Sequence, residues 1–287
     1  MNIGLMIPTL NAGLQFNKVL DCINLSEKKA DLKIRKIIID SYSSDDTVKM
    51  AFEHGFDIYK IKKSEFTHGE VRRRATNYLS NCNYIIFMTQ DVYLNVDSIL
   101  ELVSFIKLNS NMAIAYGKQE AEEKSNFFDK KDREFNYPNK SLIKCKDDIP
   151  KLGIKTAFSS DAFSIYDVSF LKNVVNFPQN INFAEDMYMA ARAIQANYKV
   201  GYCAESVVTH SNNLNYREQF VRYKNIGKFH SQNKWIVNEF GKSEKSGISL
   251  VVNQSKELAK SGNYYMILKL FIRSFIKYVG YKYGELK

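Results

Sequence analysis

The sequence has few residues that break regular structure, with only 4 prolines and 13 glycines in 287 residues. That scarcity argues against a disordered or fibrous chain. Hydrophobic residues make up 45% of the sequence, which is enough for a sizeable core. The length suits one large α/β domain, alone or with a helical annex.

Cysteine is also scarce. The 4 cysteines are scattered, and no two of them form a CxxC pair. Neither a zinc site nor a redox dithiol is therefore indicated. We expect Cys22, Cys82, Cys145 and Cys203 to be reduced and mostly buried.

Long apolar runs are missing as well. No stretch of about 18 uncharged apolar residues occurs, so we expect no segment that spans a bilayer. The start, MNIGLMIPTL, lacks the basic and long apolar regions of a signal peptide. Both observations predict a cytoplasmic protein.

Lysine and arginine outnumber the acidic residues, which gives the chain a formal net charge of +10. A basic protein attracts phosphate in some form, whether nucleic acid, anionic lipid or a nucleotide. Charge alone does not choose among these partners.

Apolar segments alternate with amphipathic segments over the first 120 residues. We predict strands at 2–8, 34–40, 56–61, 84–89 and 112–116, and helices at 14–24, 44–55, 70–80 and 96–108. This order predicts a mostly parallel sheet with helices on both faces. Ligands of such sheets bind beyond the carboxyl ends of the strands.

The pattern changes after residue 117. The charged, aromatic stretch 117–155 reads as a loop with a helical piece. Later segments predict strands at 162–166, 199–203 and 207–210, a helix at 185–195, and helices from 215 to the end.

Polar residues follow the first two predicted strands, at the edge where ligands are expected. They are Pro8, Thr9 and Asn11 after the first strand, and Asp40 and Ser43 after the second. A carboxylate at this edge can accept hydrogen bonds from a base or a ribose. The run SSDDT at 43–47 also predicts a helix cap at Ser43 or Ser44.

Three further segments carry side chains suited to a phosphorylated ligand. One is HGEVRRR, where His68 and Arg72 start a helix and an arginine fork matches phosphate oxygens; a solvated basic face is the alternative. The second is Gln90-Asp91, because a carboxylate after a buried strand suits a hard cation. The third is His210, a second candidate for binding the metal ion, although a lone histidine is more often structural.

Two acids, Glu185 and Asp186, open the predicted helix at 185–195. Acids in a first helical turn are ordinary partners of the helix dipole. A carboxylate there could also act as a general base towards an acceptor hydroxyl.

The order and spacing of these segments resemble bacterial family 2 glycosyltransferases, and among them the rhamnosyltransferase-like group. The resemblance spans roughly residues 3–284. Its segments are PTLNAG, IIIDSYSSDDT, EFTHGEVRRRA, MTQDV, AYGKQ, REFNYP, FSSDAFSIY, FAEDMYMAARAIQANYKVGY, VVTHSNN, RYKNIGKFH and GYKYG.

The resemblance implies a GT-A fold, which is a Rossmann-like mixed sheet flanked by helices. The catalytic domain would span residues 1–212, with a nucleotide-binding half (about 1–116) and an acceptor half (about 117–212), and residues 213–287 would form a helical annex. It also implies a divalent metal, Mg²⁺ or Mn²⁺, and an inverting mechanism.

By position, Asp186 is the expected general base, and Asp91 and His210 are the expected metal ligands. The nucleotide-sugar contacts are expected at Pro8, Thr9, Asn11, Asp40, Ser43, His68, Arg72, Gln90 and Asp91. The acceptor region is expected at Tyr116, Lys118, Gln119, Ser160, Asp161 and Glu185.

The expected reaction moves L-rhamnose from dTDP-rhamnose to a hydroxyl of a cell-surface polysaccharide or a lipid-linked glycan precursor. The chain departs from the group's usual pattern at Glu70, Arg73 and Asp161, so the motifs do not define which sugar is transferred. A UDP-sugar donor is one alternative. A basic membrane- or nucleic-acid-binding module and an inactive scaffold are others, although acids at the predicted ligand edge would repel nucleic acid.

The tail, residues 263–287, predicts a basic amphipathic helix in which Lys269, Arg273 and Lys277 recur every fourth residue. Such a helix can lie on the cytoplasmic surface of the inner membrane. The alternatives are a helix docked on the enzyme itself or on a second subunit of a homo-oligomer.

Overall fold

The structure, a computed structural model, describes residues 1–210, 214–241 and 244–286, with the backbone alone for 244–246. The strands are β1 (Ile3–Thr9), β2 (Ile34–Asp40), β3 (Asp57–Lys60), β4 (Tyr84–Met88), β5 (Val92–Leu94), β6 (Met112–Glu120), β7 (Leu142–Lys144), β8 (Phe163–Asp167) and β9 (Lys199–His210). The helices are α1 (Phe16–Lys29), α2 (Thr47–Glu53), α3 (His68–Tyr78), α4 (Ser98–Leu108), α5 (Phe127–Asn136), α6 (Ile149–Leu152), α7 (Val168–Asn173), α8 (Glu185–Gln195), α9 (Tyr216–Gln232), α10 (Lys234–Phe240), α11 (Glu244–Lys260) and α12 (Tyr264–Glu285).

The strands form one mixed sheet in the order β3-β2-β1-β4-β8-β6-β9-β5, and β7 pairs with β9. Strands β3, β2, β1 and β4 are parallel, whereas β8 runs antiparallel to β4 and β6. The amino end of β8 therefore lies at the same edge as the carboxyl ends of its neighbours. The expected α/β class and mixed sheet are confirmed.

Apolar side chains cover both faces of the sheet. In β2, Ile37 and Ile39 belong to one core cluster and Ile38 to the other, and all three are fully buried. Helices α3 and α8 pack on the first face, and α1 and α4 pack on the second. A strand buried on both faces reads as a continuous apolar run, which is why this strand was predicted with its observed bounds.

Several elements differ from the prediction. The expected strands 199–203 and 207–210 are one strand, β9, whose pairing with β6 jumps from Cys203 to Val207 across an irregularity. The short elements β5, β7 and α7 were not predicted, because segments of three to six residues carry little periodicity. Helix α2 begins at Thr47, so the predicted caps Ser43 and Ser44 are wrong.

Helix α12 packs along α9 at very close range. A Cβ atom on Gly284 would lie 2.0 Å from the carbonyl oxygen of Lys224, and one on Gly227 would lie 2.1 Å from that of Tyr281. Only glycine fits where two backbones approach this closely. This contact gives a physical reason for the glycines of the RYKNIGKFH and GYKYG segments.

Two of the three basic residues in the stripe of α12 bind acids of α5. The Arg273 guanidinium lies 2.6 Å from Asp129 and 3.2 Å from Asp132, and the Lys277 ammonium lies 2.9 Å from Asp132. Arg273 is only 6% exposed. These contacts agree with the alternative of a helix docked on the enzyme, and contact of the tail with a membrane stays a prediction.

The outward face of α12 is apolar and aromatic instead. Its exposed side chains include Leu268, Phe271, Ile272, Phe275, Tyr278 and Val279. None of the helices in the described ranges is long and apolar enough to cross a membrane. The expected domain boundary at 212/213 falls outside the described residues, and the division into domains stays a prediction.

Candidate active site

A cleft of about 410 Å³ opens at the carboxyl edge of the sheet. Its floor comes from the loop after β4, the start of α3, the loop before β8 and the end of β9. The start of α8 forms one wall, and α5, α9 and α12 supply side chains opposite. Of the predicted site residues, the cleft lining includes His68, Arg72, Gln119, Ser160, Asp161, Glu185, Asp186 and His210.

The loops after β1 and β2 are tied together by hydrogen bonds beside this cleft. Thr9 Oγ1 donates to Asp40 Oδ1 (2.9 Å), and the backbone amide of Ser43 donates to Asp40 Oδ2 (2.9 Å). The amide of Asn11 donates to Ser43 Oγ (2.8 Å). Asp40 is 1% exposed, so its carboxylate holds this edge of the sheet together.

The loop after β4 joins the same edge. The side chain of Gln90 accepts from the amide of Leu10 (2.9 Å) and donates to the carbonyl of Leu10 (3.2 Å). These predicted nucleotide contacts lie next to the cleft and not in its lining. They are Pro8, Thr9, Asn11, Asp40, Ser43, Gln90 and Asp91.

Arg72 lies at the floor of the cleft and is 2% exposed. Its Nε is 2.8 Å from Asp161 Oδ2, and its Nη1 is 2.9 Å from Glu185 Oε1. The same Nη1 donates to the carbonyl of His68 (3.0 Å). The sequence predicted that Arg72 contacts the nucleotide, but the structure engages its guanidinium with two carboxylates.

Asp186 lies beside this ion pair. Its Oδ1 accepts from the Met187 amide (2.7 Å), and its Oδ2 accepts a long hydrogen bond from the Asp161 amide (3.4 Å). We name Arg72, Asp161, Glu185 and Asp186 the inner cluster. It places three carboxyl groups around one guanidinium, so one arginine cannot neutralise all of them.

Burial and the neighbouring carboxylates Glu185 and Asp161 raise the pKa of Asp186 to about 8. Burial also raises the pKa of Asp161, and burial lowers that of His68. A carboxylate whose pKa lies near neutrality is suited to taking a proton from a hydroxyl group. Such shifts also cluster at functional sites.

The loop in front of α8 is held by Gly69, which the sequence did not single out. The Gly69 amide donates to the carbonyl of Ile181 (2.9 Å). A Cβ atom at this position would lie 2.0 Å from the carbonyl oxygen of Pro178. The loop then ends at Ala184, which has a left-handed φ of 60°. The HG pair in HGEVRRR was the available signal, because it brings α3 against the loop that presents Asp186.

A chain of contacts runs from Asp91, which lies outside the lining of the cleft, through His210 and Gln119 to Arg133. His210 Nε2 lies 3.2 Å from Asp91 Oδ2, and His210 Nδ1 lies 2.9 Å from Gln119 Oε1. Arg133 Nη1 donates to the same amide oxygen (2.7 Å). Since that oxygen can only accept, Nδ1 carries a hydrogen. Nε2 donates to Asp91 when the ring is protonated, and in the neutral ring it offers its lone pair to a cation bound between His210 and Asp91.

Asp91 and His210 fit a divalent cation whose remaining ligands come from a substrate. Burial opposes ionisation of Asp91, but the hydrogen bond and charge of His210 lower its pKa on balance. Across the described ranges, no three His, Cys, Asp or Glu side chains converge on a metal-binding point. Mg²⁺ is typically bound by one or two carboxylates together with substrate phosphates, so the carboxylate of Asp91 and the phosphates of a donor could hold it, with His210 beside them.

The predicted acceptor region is only partly in the cleft. Gln119 and Ser160 line the cleft and are joined by a 2.6 Å hydrogen bond. Tyr116 is 3% exposed and accepts from the buried Lys144 (3.2 Å). Lys118 pairs with Glu120 (2.6 Å) outside the cleft. The structure therefore does not bring Tyr116 and Lys118 into the cleft with the other predicted acceptor residues.

Two of the residues that depart from the usual pattern, Glu70 and Arg73, form an ion pair with each other. Glu70 binds Arg73 through two hydrogen bonds (2.8 and 3.0 Å) and also contacts Arg74 (2.7 Å). None of the three lines the cleft. The third departure, Asp161, belongs to the inner cluster and contacts Arg72.

The fold and the cleft define an α/β protein with a polar cleft at the carboxyl edge of its sheet, where buried carboxyl groups have raised pKa values. Solved structures share this fold. The mannosyltransferase PcManGT from Pyrobaculum calidifontis, in complex with GDP-Man and Mn²⁺, matches with a TM-score of 0.65 at 10% identity, covering 99% of this chain and 88% of that one. Residues 1–349 of TarS from S. aureus, in complex with UDP, match with a TM-score of 0.58 at 14% identity, covering 99% and 90%.

Sequence comparisons show the family to which the chain belongs. The family model described as "Glycosyl transferase family 2" matches residues 5–175. The O-antigen chain rhamnosyltransferase RfbN of Salmonella typhimurium is 39% identical, covering 99% of this chain and 90% of the relative. The O-antigen chain rhamnosyltransferase WbaN of Salmonella anatum is 37% identical, covering 98% and 88%. The chain belongs to glycosyl transferase family 2 and is a glycosyltransferase.

Proposed function

We propose that this enzyme transfers L-rhamnose from dTDP-L-rhamnose to a hydroxyl of a cell-surface polysaccharide or its lipid-linked precursor, with inversion at the anomeric carbon. The observation that carries the proposal is the 39% identity to an O-antigen chain rhamnosyltransferase over 99% of the chain. A UDP-sugar donor is the second candidate, because TarS of the same fold was solved with UDP-GlcNAc.

Asp186 is the proposed general base. It lies in the cleft at the start of α8, where a hydroxyl of the acceptor can reach it. It removes the proton from that hydroxyl as the oxygen attacks the anomeric carbon. A single displacement inverts the configuration, so one base is enough. A positioned base contributes typically about 10²–10⁴-fold to the rate.

A divalent cation held by Asp91 and His210 would supply Lewis-acid stabilisation of the departing diphosphate. Gln119 fixes the His210 ring for that purpose, since it accepts the Nδ1 hydrogen (2.9 Å). Arg72 takes a positioning role in this proposal, because its ion pairs with Asp161 and Glu185 hold the segment that carries Asp186.

The proposed function is tested by measuring nucleoside diphosphate release from a panel of donors, with Mg²⁺ or Mn²⁺ and with a rhamnose-accepting glycan. We expect release of dTDP from dTDP-rhamnose to exceed release of UDP from UDP-sugars. A larger thermal shift with dTDP than with UDP should accompany it, since bound ligand raises apparent stability. Preference for UDP would replace rhamnose by the second candidate, and turnover of neither donor would remove both.

We also propose that the outward face of α12 contacts a lipid surface, which would suit a lipid-linked acceptor. Leu268, Phe271 and Phe275 are each more than half exposed, and an apolar face of this kind can enter a bilayer interface. Arg273 and Lys277 of the basic stripe do not take part, because they bind Asp129 and Asp132. The cytoplasmic location and the homo-oligomer expected from the sequence stay predictions.

The lipid contact is tested with full-length protein, because removal of α12 would uncover α9. We expect the double variant Phe271→Ser/Phe275→Ser to lose co-sedimentation with vesicles of phosphatidylethanolamine and phosphatidylglycerol, while Lys269→Ser loses less. Equal sedimentation of the wild type and the double variant would refute this proposal. Loss of a dimer in analytical ultracentrifugation would instead assign the face to a second copy of the chain.

A further inference from the structure

Among the described residues, five carboxyl groups line the cleft, yet its cationic side chains are not all paired with them. Among the residues that the structure describes, five Arg and Lys side chains line it: Arg72, Arg133, Arg222, Arg273 and Lys277. Arg72 is paired with Asp161 and Glu185, and Arg273 and Lys277 are paired with acids of α5. Three of the five are therefore already occupied.

Arg133 and Arg222 differ from these three. Neither makes an ion pair with a carboxylate in the described part of the chain. Arg133, on α5, is half-buried, and one of its nitrogens donates to the neutral Gln119 amide (2.7 Å). Arg222, on α9, is exposed at the cleft.

The two side chains are close enough to repel each other. Burial lowers the pKa of Arg133, and the charge of Arg222 lowers it further, whereas Tyr137, Asp129 and Asp91 act in the opposite direction. Two like charges that share a cleft and form no ion pair of their own raise the energy of the ligand-free protein. An anion bound between them removes this cost. Planar guanidinium groups are also suited to bidentate contact with phosphate oxygens.

We infer that Arg133 and Arg222, here the arginine pair, form a binding site for a diphosphate group. Arg133 connects to Asp91 through Gln119 and His210, by contacts of 2.7, 2.9 and 3.2 Å. A diphosphate on the arginine pair would thus lie beside the residues proposed to hold the cation. The site also accounts for the arginines of the REFNYP and RYKNIGKFH segments, to which the sequence gave no role.

The inference rests on the proposed function for the source of the diphosphate. That group is either the one that joins nucleoside to sugar in the donor or the one that joins glycan to lipid in an acceptor. The chemistry that the arginine pair recognises is the same in both cases. Binding of donor fragments and kinetics with the acceptor separate the two sources.

The first measurement is titration calorimetry with inorganic pyrophosphate in the presence of EDTA, so that no metal contributes. We expect Arg222→Gln to raise Kd by about tenfold or more, since a charge-assisted hydrogen bond is worth roughly that factor. Arg222→Lys should retain part of the affinity. Lys228→Gln is the matched control, because it removes an exposed cation of α9 that does not line the cleft.

Arg133→Gln should weaken pyrophosphate binding similarly, but it also frees the Gln119 amide that orients His210. Arg222→Gln is therefore the decisive variant, because no hydrogen bond of the described residues depends on its side chain. An unchanged Kd for pyrophosphate in Arg222→Gln, with an unchanged melting temperature, would overturn the inference. An equal loss in Lys228→Gln would reduce it to general electrostatic attraction, which also overturns it.

The same variants assign the source. If the donor supplies the diphosphate, Arg222→Gln weakens dTDP binding about tenfold and leaves thymidine binding unchanged. If the acceptor supplies it, dTDP binding is unchanged and KM for a diphosphate-linked acceptor rises. Pyrophosphate binding needs no sugar, so a failure of rhamnose transfer would leave this result standing.

Discussion

The inner cluster and the arginine pair lie in one cleft and treat charge in opposite ways. In the inner cluster, Arg72 is 2% exposed and contacts two carboxylates at 2.8 and 2.9 Å. In the arginine pair, neither guanidinium forms an ion pair with a carboxylate of the described residues, and Arg133 donates to the amide oxygen of Gln119. A buried charge with partners of its own is part of the scaffold, whereas a charge without them is available to a ligand.

The two sites also differ in what their sequence context shows. Both contain arginines within motifs of the family, and RRR at 72–74 is the more conspicuous run. Yet Arg72 is internal, and Arg73 and Arg74 bind Glu70. Charge in a motif therefore indicates a ligand site only after its partners in the fold have been identified.

The largest expected difference is that a variant of the inner cluster lowers turnover, whereas variants of the arginine pair weaken binding. The variant Asp186→Asn tests this difference. Asparagine keeps the size of the side chain but cannot accept the proton, so we expect kcat to fall about 10²–10⁴-fold. Calorimetry should show a nearly normal Kd for dTDP, in contrast to the arginine-pair variants. Unchanged turnover would remove Asp186 from the mechanism.

Stability gives the next largest difference. Arg72→Met leaves Asp161 and Glu185 buried without their cation, and breaking a buried pair costs about 3–5 kcal/mol of the free energy of unfolding. Arg222→Met should stay within about 0.5 kcal/mol of the wild type, as surface substitutions do. Urea unfolding of both variants measures the difference. Equal losses would mean that the arginine pair is structural too.

The loop that presents Asp186 can be disturbed without removing any charge. In Gly69→Ala, the new methyl group meets the carbonyl oxygen of Pro178, and overpacking of this kind costs about 1–3 kcal/mol. We expect thermal unfolding at a lower temperature and a reduced kcat. Gly247→Ala is the control, because a Cβ there meets nothing within 4 Å. If both variants behaved alike, the loop contact would not matter.

The smallest expected effect is on the pH dependence of kcat/KM. The base is active when ionised, and its raised pKa of about 8 means that activity increases as the pH rises through that value. Asp161→Asn removes a neighbouring negative charge, which lowers the pKa of Asp186. The acid limb should therefore move to lower pH, by about one unit or about 1.4 kcal/mol.

A pH series of kcat/KM for Asp161→Asn tests this shift, with Asp57→Asn on the surface as the control. The control should keep the wild-type limb, because Asp57 is exposed on β3. A limb that does not move in Asp161→Asn would mean that another group sets the pH dependence.

The sequence by itself determined the longer strands of the sheet, the resemblance to the family and the list of candidate site residues. Apolar runs such as Ile37-Ile38-Ile39 and the amphipathic helix at 185–195 are local patterns, and they were recovered with their observed bounds. Asp186 and His210 were also reached from motifs, because the ends of strands and helices can be located from local signals and then meet at one edge of the sheet.

Only the tertiary structure decided which charged side chains already have an ion-pair partner within the protein. Arg72 meets Asp161 and Glu185, and Arg273 of the tail helix meets Asp129, which is 144 residues away along the chain. The same applies to Tyr116, which lies in the core against Lys144. An ion pair forms between residues that the fold brings together from distant positions, so periodicity and motif spacing carry no information about it.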